Sequence, residues 1–325
     1  MKRFAWLAAV AAMVSLAGAA DVARAQTYPS KPIRLIVPAG PGGPNDVLAR
    51  LLAQQMPQTL GGPVVVENHA GGGGRVGARV VAAAEPDGHT LLIGNTATLA
   101  NIPAFSKNVG YDAIKSFTAV GKITDSFQVM VVRQDFPAQT VAEFVAYAKA
   151  NPGKLNFSSS GAGNLTHLSG ELLNLKTGVG IVHVPYKSTA ESVTAILADQ
   201  VQMTFSSISI VLPHLQQKTI KALAVTGPKR APELPDVPTM VEGGVPDYVV
   251  TSFFGVVAPA GTAAEIVNKL NGAINDALKV PTVVASMKRL GAEPSIGTPQ
   301  EFSTFIAGEL AKWTAVAKSS SITID

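Results

Sequence analysis

The chain has 325 residues, 47% of them hydrophobic and only 15% charged, so it can bury a sizeable core and disorder is excluded as its main state. It has no cysteine, which excludes disulfides, thiolate metal sites, iron–sulfur clusters and a cysteine nucleophile. A formal net charge of +4 with 6% aromatic residues is no basic, base-stacking footprint, which argues against nucleic acid as a partner.

The first residues read as a secretory leader. Lys2 and Arg3 are basic, residues 5–20 are almost wholly apolar, and Ala23-Arg24-Ala25 is a small-residue cleavage site before Gln26. The apolar run is shorter than the ~20 residues needed to span a bilayer, so cleavage is preferred to an uncleaved anchor. Residues 1–25 are therefore expected to be a signal peptide, cut near Ala25–Gln26, and the mature chain soluble and exported. Without the leader, 23 basic and 21 acidic residues remain, a net +2.

Beyond the leader, strand, loop and helix recur. A strand at 33–37 is followed by a Gly/Pro loop at 39–44 and a helix over 46–60, which Pro57 kinks or ends. A strand at 64–66, a Gly-rich loop at 68–74, a helix at 76–84 and a strand at 90–94 follow. Next come a strand at 129–133 and a helix from a Thr140 cap to Ala150, with Glu143 placed as in a capping box. Strands are expected at 154–157, 181–184, 201–205, 222–226 and 253–258. Helices are expected from 164 to about 176, at 189–198, 263–279 and 299–319. Short apolar strands alternating with helices imply an α/β fold with a mainly parallel sheet. No Gly/Ser linker divides the chain, so two lobes would be joined by crossings near 121–127 and 248–254. Residues 26–124 and 250–325 then form lobe 1, and 125–249 lobe 2.

The motifs argue for binding rather than chemistry. Gly72-x-Gly74-x-x-Gly77 has the form of a dinucleotide fingerprint. The first strand's loop lacks that pattern, and no acidic residue follows at the expected distance, so a tight turn is preferred. The five histidines lie at no metal-ligand spacing, so no metal or cofactor is expected. No nucleophile elbow occurs. A Ser/His hydrolase would need Ser160 to meet His167 or His183.

What recurs is a set of small polar loops leading from strands into helices: 40–46, 95–98, 158–164 and 187–189. Free N–H groups at helix starts, flanked by Gly, Ser, Thr and Asn, suit a small anion. Such ligands bind beyond the carboxyl ends of strands in open α/β sheets. Turn and cap formation explains any one loop equally well; all of them together favour a cleft. Few charges lie nearby (Asp46, Arg75, Lys187), so the anion would be held by neutral donors and water. Asp46 is assigned to loop geometry, since it would repel a carboxylate.

Several stretches resemble the Bug/TctC family of extracytoplasmic solute-binding proteins from tripartite tricarboxylate transporters. They include Tyr28-Pro29-Ser30-Lys31-Pro32-Ile33, Gly40-Pro41-Gly42-Gly43 with Asp46-Val47-Leu48-Ala49-Arg50, and Val64-Val65-Val66-Glu67-Asn68 before Gly71–Gly74. Pro86-Asp87-Gly88-His89-Thr90, Ser159-Ser160-Gly161-Ala162-Gly163, His167-Leu168-Ser169-Gly170-Glu171, His183-Val184-Pro185-Tyr186-Lys187 and Ala258-Pro259-Ala260-Gly261-Thr262 match as well. The resemblance implies a two-lobed periplasmic binding protein of the Venus flytrap kind, with a mainly parallel sheet in each lobe and the ligand cleft between them. It implies a soluble, monomeric, non-enzymatic protein of the periplasm that captures a small organic carboxylate by hinge closure. That protein would deliver its ligand to TctA/TctB-like membrane subunits.

Lobe 1 would hold the carboxylate, partly through ordered waters, with Gly42, Gly43, Pro44, Asn45, Asn95, Thr96 and Thr98. Lobe 2 would contribute Ser159, Ser160, Gly163, Asn164 and His167, then Lys187, Ser188, Thr189 and Ser206. Phe253, with Phe205 and Phe254, would pack on an apolar ligand body, although core packing explains each ring too. The sequence departs from the family at Ser188, where Gly is common, at Asn164, where Ser is common, and near Gln202 and Ser206, where an acid is common. Loss of acidic character makes an amino acid ligand less favoured. Two alternatives remain open: a sensor for a membrane kinase, and a secreted α/β esterase.

Overall fold

The computed structural model describes residues 28–186, 188–289 and 292–319. The leader and Lys187 lie outside the described residues. No helix among the described residues is long and apolar enough to cross a membrane.

Strand β1 (Ile33–Val37) lies parallel between β2 (Val64–Asn68) and β3 (Thr90–Asn95). The long β4 (Phe117–Arg133) belongs to two sheets. Its first part pairs antiparallel with β9 (Thr251–Pro259), which also pairs with β3, and with the short β10 (Glu293–Pro294). Its last part pairs antiparallel with β7 (Met203–Ser207) and β8 (Ile220–Val225). Strand β5 (Asn156–Ser159) lies parallel between β7 and β6 (Val182–Pro185), giving the order β2-β1-β3-β9-β4-β7-β5-β6. The result is a two-lobed α/β fold. Pairing is parallel among the outer strands, where helices make the crossovers, and antiparallel where the chain passes between lobes.

The helices are α1 (Pro44–Leu60), α2 (Arg75–Ala82), α3 (Ile102–Phe105), α4 (Val141–Ala150), α5 (Leu165–Thr177), α6 (Thr189–Leu197), α7 (Ile208–Gln216), α8 (Ala264–Lys279), α9 (Pro281–Arg289) and α10 (Pro299–Ser319). Leu35, Ile93, Leu48, Leu52, Leu270 and Ile274 fill one face of the first sheet, beneath α1 and α8. Val129, Val131, Val193, Ile196 and Val211 fill one face of the second, beneath α6 and α7. The third core is shared. Ile36, Leu92, Val257, Phe302 and Trp313 join Met130, Phe144, Phe157, Leu172 and Phe205, so apolar packing ties the lobes on that face.

Polar bonds pin the crossings. Thr226 Oγ1 accepts the Gln128 N–H at 2.9 Å and donates to the Val250 carbonyl at 2.7 Å. The Val250 N–H in turn donates to the Thr226 carbonyl at 2.8 Å. From α10, Lys312 Nζ donates to the Val249 carbonyl at 2.7 Å.

Four local differences from the sequence reading have physical causes. Helix α1 runs through Pro57 to Leu60, because a proline in the last turn forfeits only one bond and Gly61 closes the end onto the Pro57 carbonyl. The first twelve residues of β4 were not expected as strand. Gly121, Lys122 and Asp125 break the apolar pattern there, and the register shifts twice. Helices α7 and α9 were also missed: Pro213 lies inside one and Pro281 opens the other. Strands β5 and β7 end two residues later than expected, at Ser159 and Ser207. The Thr140 cap forms as read, accepting the Glu143 N–H at 3.1 Å, although Glu143 Oε2 reaches back to the Gln139 N–H.

Candidate functional site

In lobe 1 the site begins where β1 ends. Residues 38–43 lead into α1, whose cap residue Gly43 is extended and makes no side-chain cap bond; Pro44 takes the first helical position. Asp46 shapes this loop from behind. It is 3% exposed and accepts the Gly42 N–H at 3.0 Å, Arg50 at 2.8 and 3.0 Å, and Asn68 Nδ2 at 2.9 Å. Asn68 Nδ2 also donates to the Ala39 carbonyl. The Arg50 hydrogen bonds lower the Asp46 pKa to about 2, against the opposing effect of its burial. These partners give Asp46 a role in loop geometry.

Asn45 turns the other way, toward the end of β3. Its Oδ1 accepts from Asn95 Nδ2 at 3.4 Å, and its own Nδ2 is buried without a partner. Asn95 closes a tight turn: its Oδ1 accepts the Thr98 N–H at 2.9 Å and its N–H donates to Thr98 Oγ1 at 3.0 Å. Thr96 Oγ1 accepts the Phe253 N–H at 2.8 Å, which ties the turn to β9. The 40–46 and 95–98 loops therefore meet.

In lobe 2, β5 ends at the buried Ser159, whose hydroxyl accepts the Gly161 N–H at 3.1 Å and lies 2.6 Å from His183 Nε2. The Ser160 N–H donates to Thr166 Oγ1 at 3.0 Å, and the two hydroxyls are 3.1 Å apart. Asn164 opens α5 but does not cap it; its Nδ2 donates to the Ser160 carbonyl at 2.7 Å. The Gly163 N–H donates to His167 Nδ1 at 3.0 Å. The His167 ring stacks on His183 at 3.6 Å, with Phe157 beside both. Burial, then the facing His167, lowers the His183 pKa to about 4. The Tyr186 N–H donates to the Ser159 carbonyl, which brings the next loop alongside. There Ser188 caps α6 by accepting the Glu191 N–H, and Thr189 is the first helical residue.

Two expected residues are not brought to the loops by their side chains. The Phe253 ring is fully buried, edge-on to Phe302 and Phe305, so only its backbone N–H reaches Thr96. Ser206 is fully buried in β7 opposite Val129. Phe205 stacks on Tyr248 in the core, and Phe254 packs against the first-sheet core. The Ser160 pairing that a hydrolase would need does not form: the Ser160 hydroxyl meets Thr166, and the serine against His183 is the buried Ser159. Glu171 lies 3.6 Å from His167, and its charge also acts on the stacked His183 ring. The glycine run makes the tight turn preferred above. Gly71, Gly72, Gly73 and Gly74 all have positive φ, and a Cβ on Gly77 would meet Pro38 Cα at 2.9 Å.

Sequence reasoning missed Asn68, Thr166 and His183 as loop supports. The position of Asn68 at the end of β2, next to β1, was the available signal. A cavity of about 410 Å³ lies away from these loops, between Asp125–Phe127 of β4, Ser207–Ser209 and Ala292–Glu293. It straddles the crossing strand, and no sequence-expected site residue lines it.

The family described as tripartite tricarboxylate transporter family receptor (TctC) matches residues 48–322. Protein BugT of Bordetella pertussis is 36% identical over 313 residues, 96% of each chain. The structure of R. palustris Rpa4515 with adipate is 35% identical and has a TM-score of 0.68; the match covers 91% of this chain and 99% of that one. A TctC solute binding protein from Polaromonas, with no ligand, is 26% identical and has a TM-score of 0.84; the match covers 90% of this chain and all of that one.

Proposed function

The chain belongs to the tripartite tricarboxylate transporter receptor (TctC) family, and from that premise we propose that it captures a small organic carboxylate in the cleft between its lobes. One observation carries the reading. At the start of α1 the loop and the helix N-terminus present backbone donors, while the neighbouring carboxylate, Asp46, is spent on Gly42, Arg50 and Asn68. Such a site stabilises an anion through neutral dipoles. The serines, Asn164 and Thr189 of lobe 2 close over the ligand body. A relative bound to adipate supports a carboxylate as the ligand class.

Closure is a hinge motion about the two crossings, 125–128 and 250–252, with lobe 1 formed by 26–124 and 250–325 and lobe 2 by 125–249. The comparison structures support it. The relative with adipate is closer in sequence but superposes less well than the ligand-free one, 0.68 against 0.84. Sequence divergence alone would order them the other way; an open form of this chain explains the inversion. The closed form would then dock with the transporter's membrane subunits after export by the cleaved leader.

The test is thermal unfolding of residues 26–325 against malate, succinate, adipate, citrate and benzoate. Ligand at 100 times Kd adds about 2.7 kcal/mol, a shift of several degrees. A shift with one carboxylate and none with its amide is expected. No shift with any member, from folded protein free of co-purified ligand, would overturn the reading.

A further inference from the structure

We propose that Lys229 and Glu293, outside the ligand loops, set the affinity of the site: their ion pair joins the two lobes in the open form and is given up on closure. The inference rests on the hinge reading above and goes beyond it by naming the contact that opposes closure.

Lys229 Nζ, in lobe 2, lies 2.9 Å from Glu293 Oε2, on β10 of lobe 1. The other ion pairs of the described residues lie within one lobe, apart from Lys122–Asp125 inside the crossing strand. Both ends are anchored at the hinge. Glu293 is in register with Asp125 of β4, and its carbonyl accepts the Thr124 hydroxyl. Lys229 follows Gly227, whose backbone lies so close to the Phe127 ring that a Cβ there would come within 2.6 Å of it. The Glu293 hydrogen bond raises the Lys229 pKa, and the charge of Asp125 adds to it.

The pair also stands where the lobes have room to move. The shared core, which joins Phe302 and Trp313 to Phe144 and Leu172, contributes no residue to the cavity of about 410 Å³. Ile208 and Leu212 of lobe 2 and Ala292 and Glu293 of lobe 1 line that cavity, with residues 125–127 of the crossing strand. A space lined from both lobes changes shape when they rotate, and Glu293 then moves relative to Lys229. At 2.9 Å the pair is at its best distance in this form, so rotation in either sense draws the ammonium off the carboxylate. The pair thus favours the open form, and a ligand that selects the closed form must overcome it. Both side chains are exposed, 67% and 48%, so the effect is small, roughly fivefold at most in the open–closed equilibrium.

Reversal and exchange of the two charges test this. Lys229→Glu sets a carboxylate against Glu293, and Glu293→Lys sets an ammonium against Lys229. Calorimetry with the carboxylate that wild-type protein takes from the panel should show each variant binding about three- to tenfold more tightly than wild type. The two reversals change the net charge in opposite senses, so general attraction of an anion cannot tighten both. The exchanged double variant, K229E/E293K, remakes the pair and should return to within about twofold of wild type. These are surface substitutions, so Tm should stay within ~2 °C of wild type in all three. Damage to the site or the fold would weaken binding, which is the opposite sign. Either single variant binding no more tightly than wild type, or a tightening that the exchange does not reverse, overturns the proposal and leaves the hinge reading standing. Small-angle scattering of wild-type protein with and without ligand separates the two. Wild-type protein that binds no member of the panel, or binds one without becoming more compact, overturns the reading beneath and this inference with it.

Discussion

The two proposed binding loops are held in place by different chemistry. The loop of lobe 1 is strapped by charge: Asp46 gathers Gly42, Arg50 and Asn68 on one buried carboxylate. The loop of lobe 2 is held by neutral groups, with Thr166 under Ser160, Asn164 on the Ser160 carbonyl, and two stacked imidazoles beneath. The first arrangement is pre-formed and nearly indifferent to pH, because its carboxylate stays ionised down to about 2. The second depends on hydroxyls and on the His183 ring, which burial holds uncharged near neutral pH, so it should yield first to acid and to small changes of shape. On the proposed reading, lobe 1 would offer a rigid anion seat and lobe 2 a loop that adapts as the cleft closes.

The largest expected effect breaks the rigid side. Asp46→Ala strands the Gly42 N–H, leaves Asn68 with only the Ala39 carbonyl on that loop, and frees the loop. It should cost about 2 kcal/mol of stability, several degrees in Tm, and weaken ligand binding by about tenfold or more. Calorimetry and a thermal melt check both; a variant as stable and as tight as wild type would remove the strap from the account. Next comes a contrast between lobes. Thr96→Leu removes the acceptor of the Phe253 N–H, so it should weaken binding and also cost about 1–2 kcal/mol of stability. Ser160→Leu leaves Thr166 to accept the Ser160 N–H, so it should weaken binding with Tm within ~2 °C of wild type. Equal losses of stability in the two variants would erase the proposed difference. Smaller still, Thr226→Val cuts a side-chain tie between the crossings without changing volume much. It should cost about 1–2 kcal/mol and leave carboxylate affinity within a few-fold.

How much of this was legible in the sequence differs by element. The outer strands and their helices were readable because all-apolar runs such as Ile33–Val37 alternate with helical spacing, and Gly61 punctuates the end of α1. The crossing strand was half hidden: Gly121, Lys122 and Asp125 interrupt its pattern where the register against β9 shifts. The loops at 40–46, 95–98 and 158–164 were visible as small polar residues. Their wiring was not, because it is made by partners distant in sequence: Asn68 on Asp46, Phe253 on Thr96, and His183 on Ser159. Phe253 shows the limit from the other side, since an aromatic beside a polar turn reads equally as ligand wall or core, and only packing against Phe302 and Phe305 decides.

The finest test of the comparison is the pH dependence of stability. His183 has a folded pKa of about 4 against 6.5 ordinarily, so below pH 6.5 the unfolded chain takes up a proton that the native ring refuses. Native stability from this group is therefore complete above pH 6.5 and falls as pH drops toward 4. The carboxylates of lobe 1 act lower. Glu67 and Asp46, both held at about 2, lose their contributions only as pH falls below their ordinary values of 4.5 and 3.8. The window between pH 6.5 and 4.5 thus isolates lobe 2 from the strap. Wild-type Tm should decline by a few degrees across it, and His183→Gln, which cannot take up the proton, should flatten that decline. Ligand-free melts at pH 7 and pH 5 are sufficient. An equal decline in both proteins would take the acid sensitivity away from the stacked rings and leave the two loops alike in their response to pH.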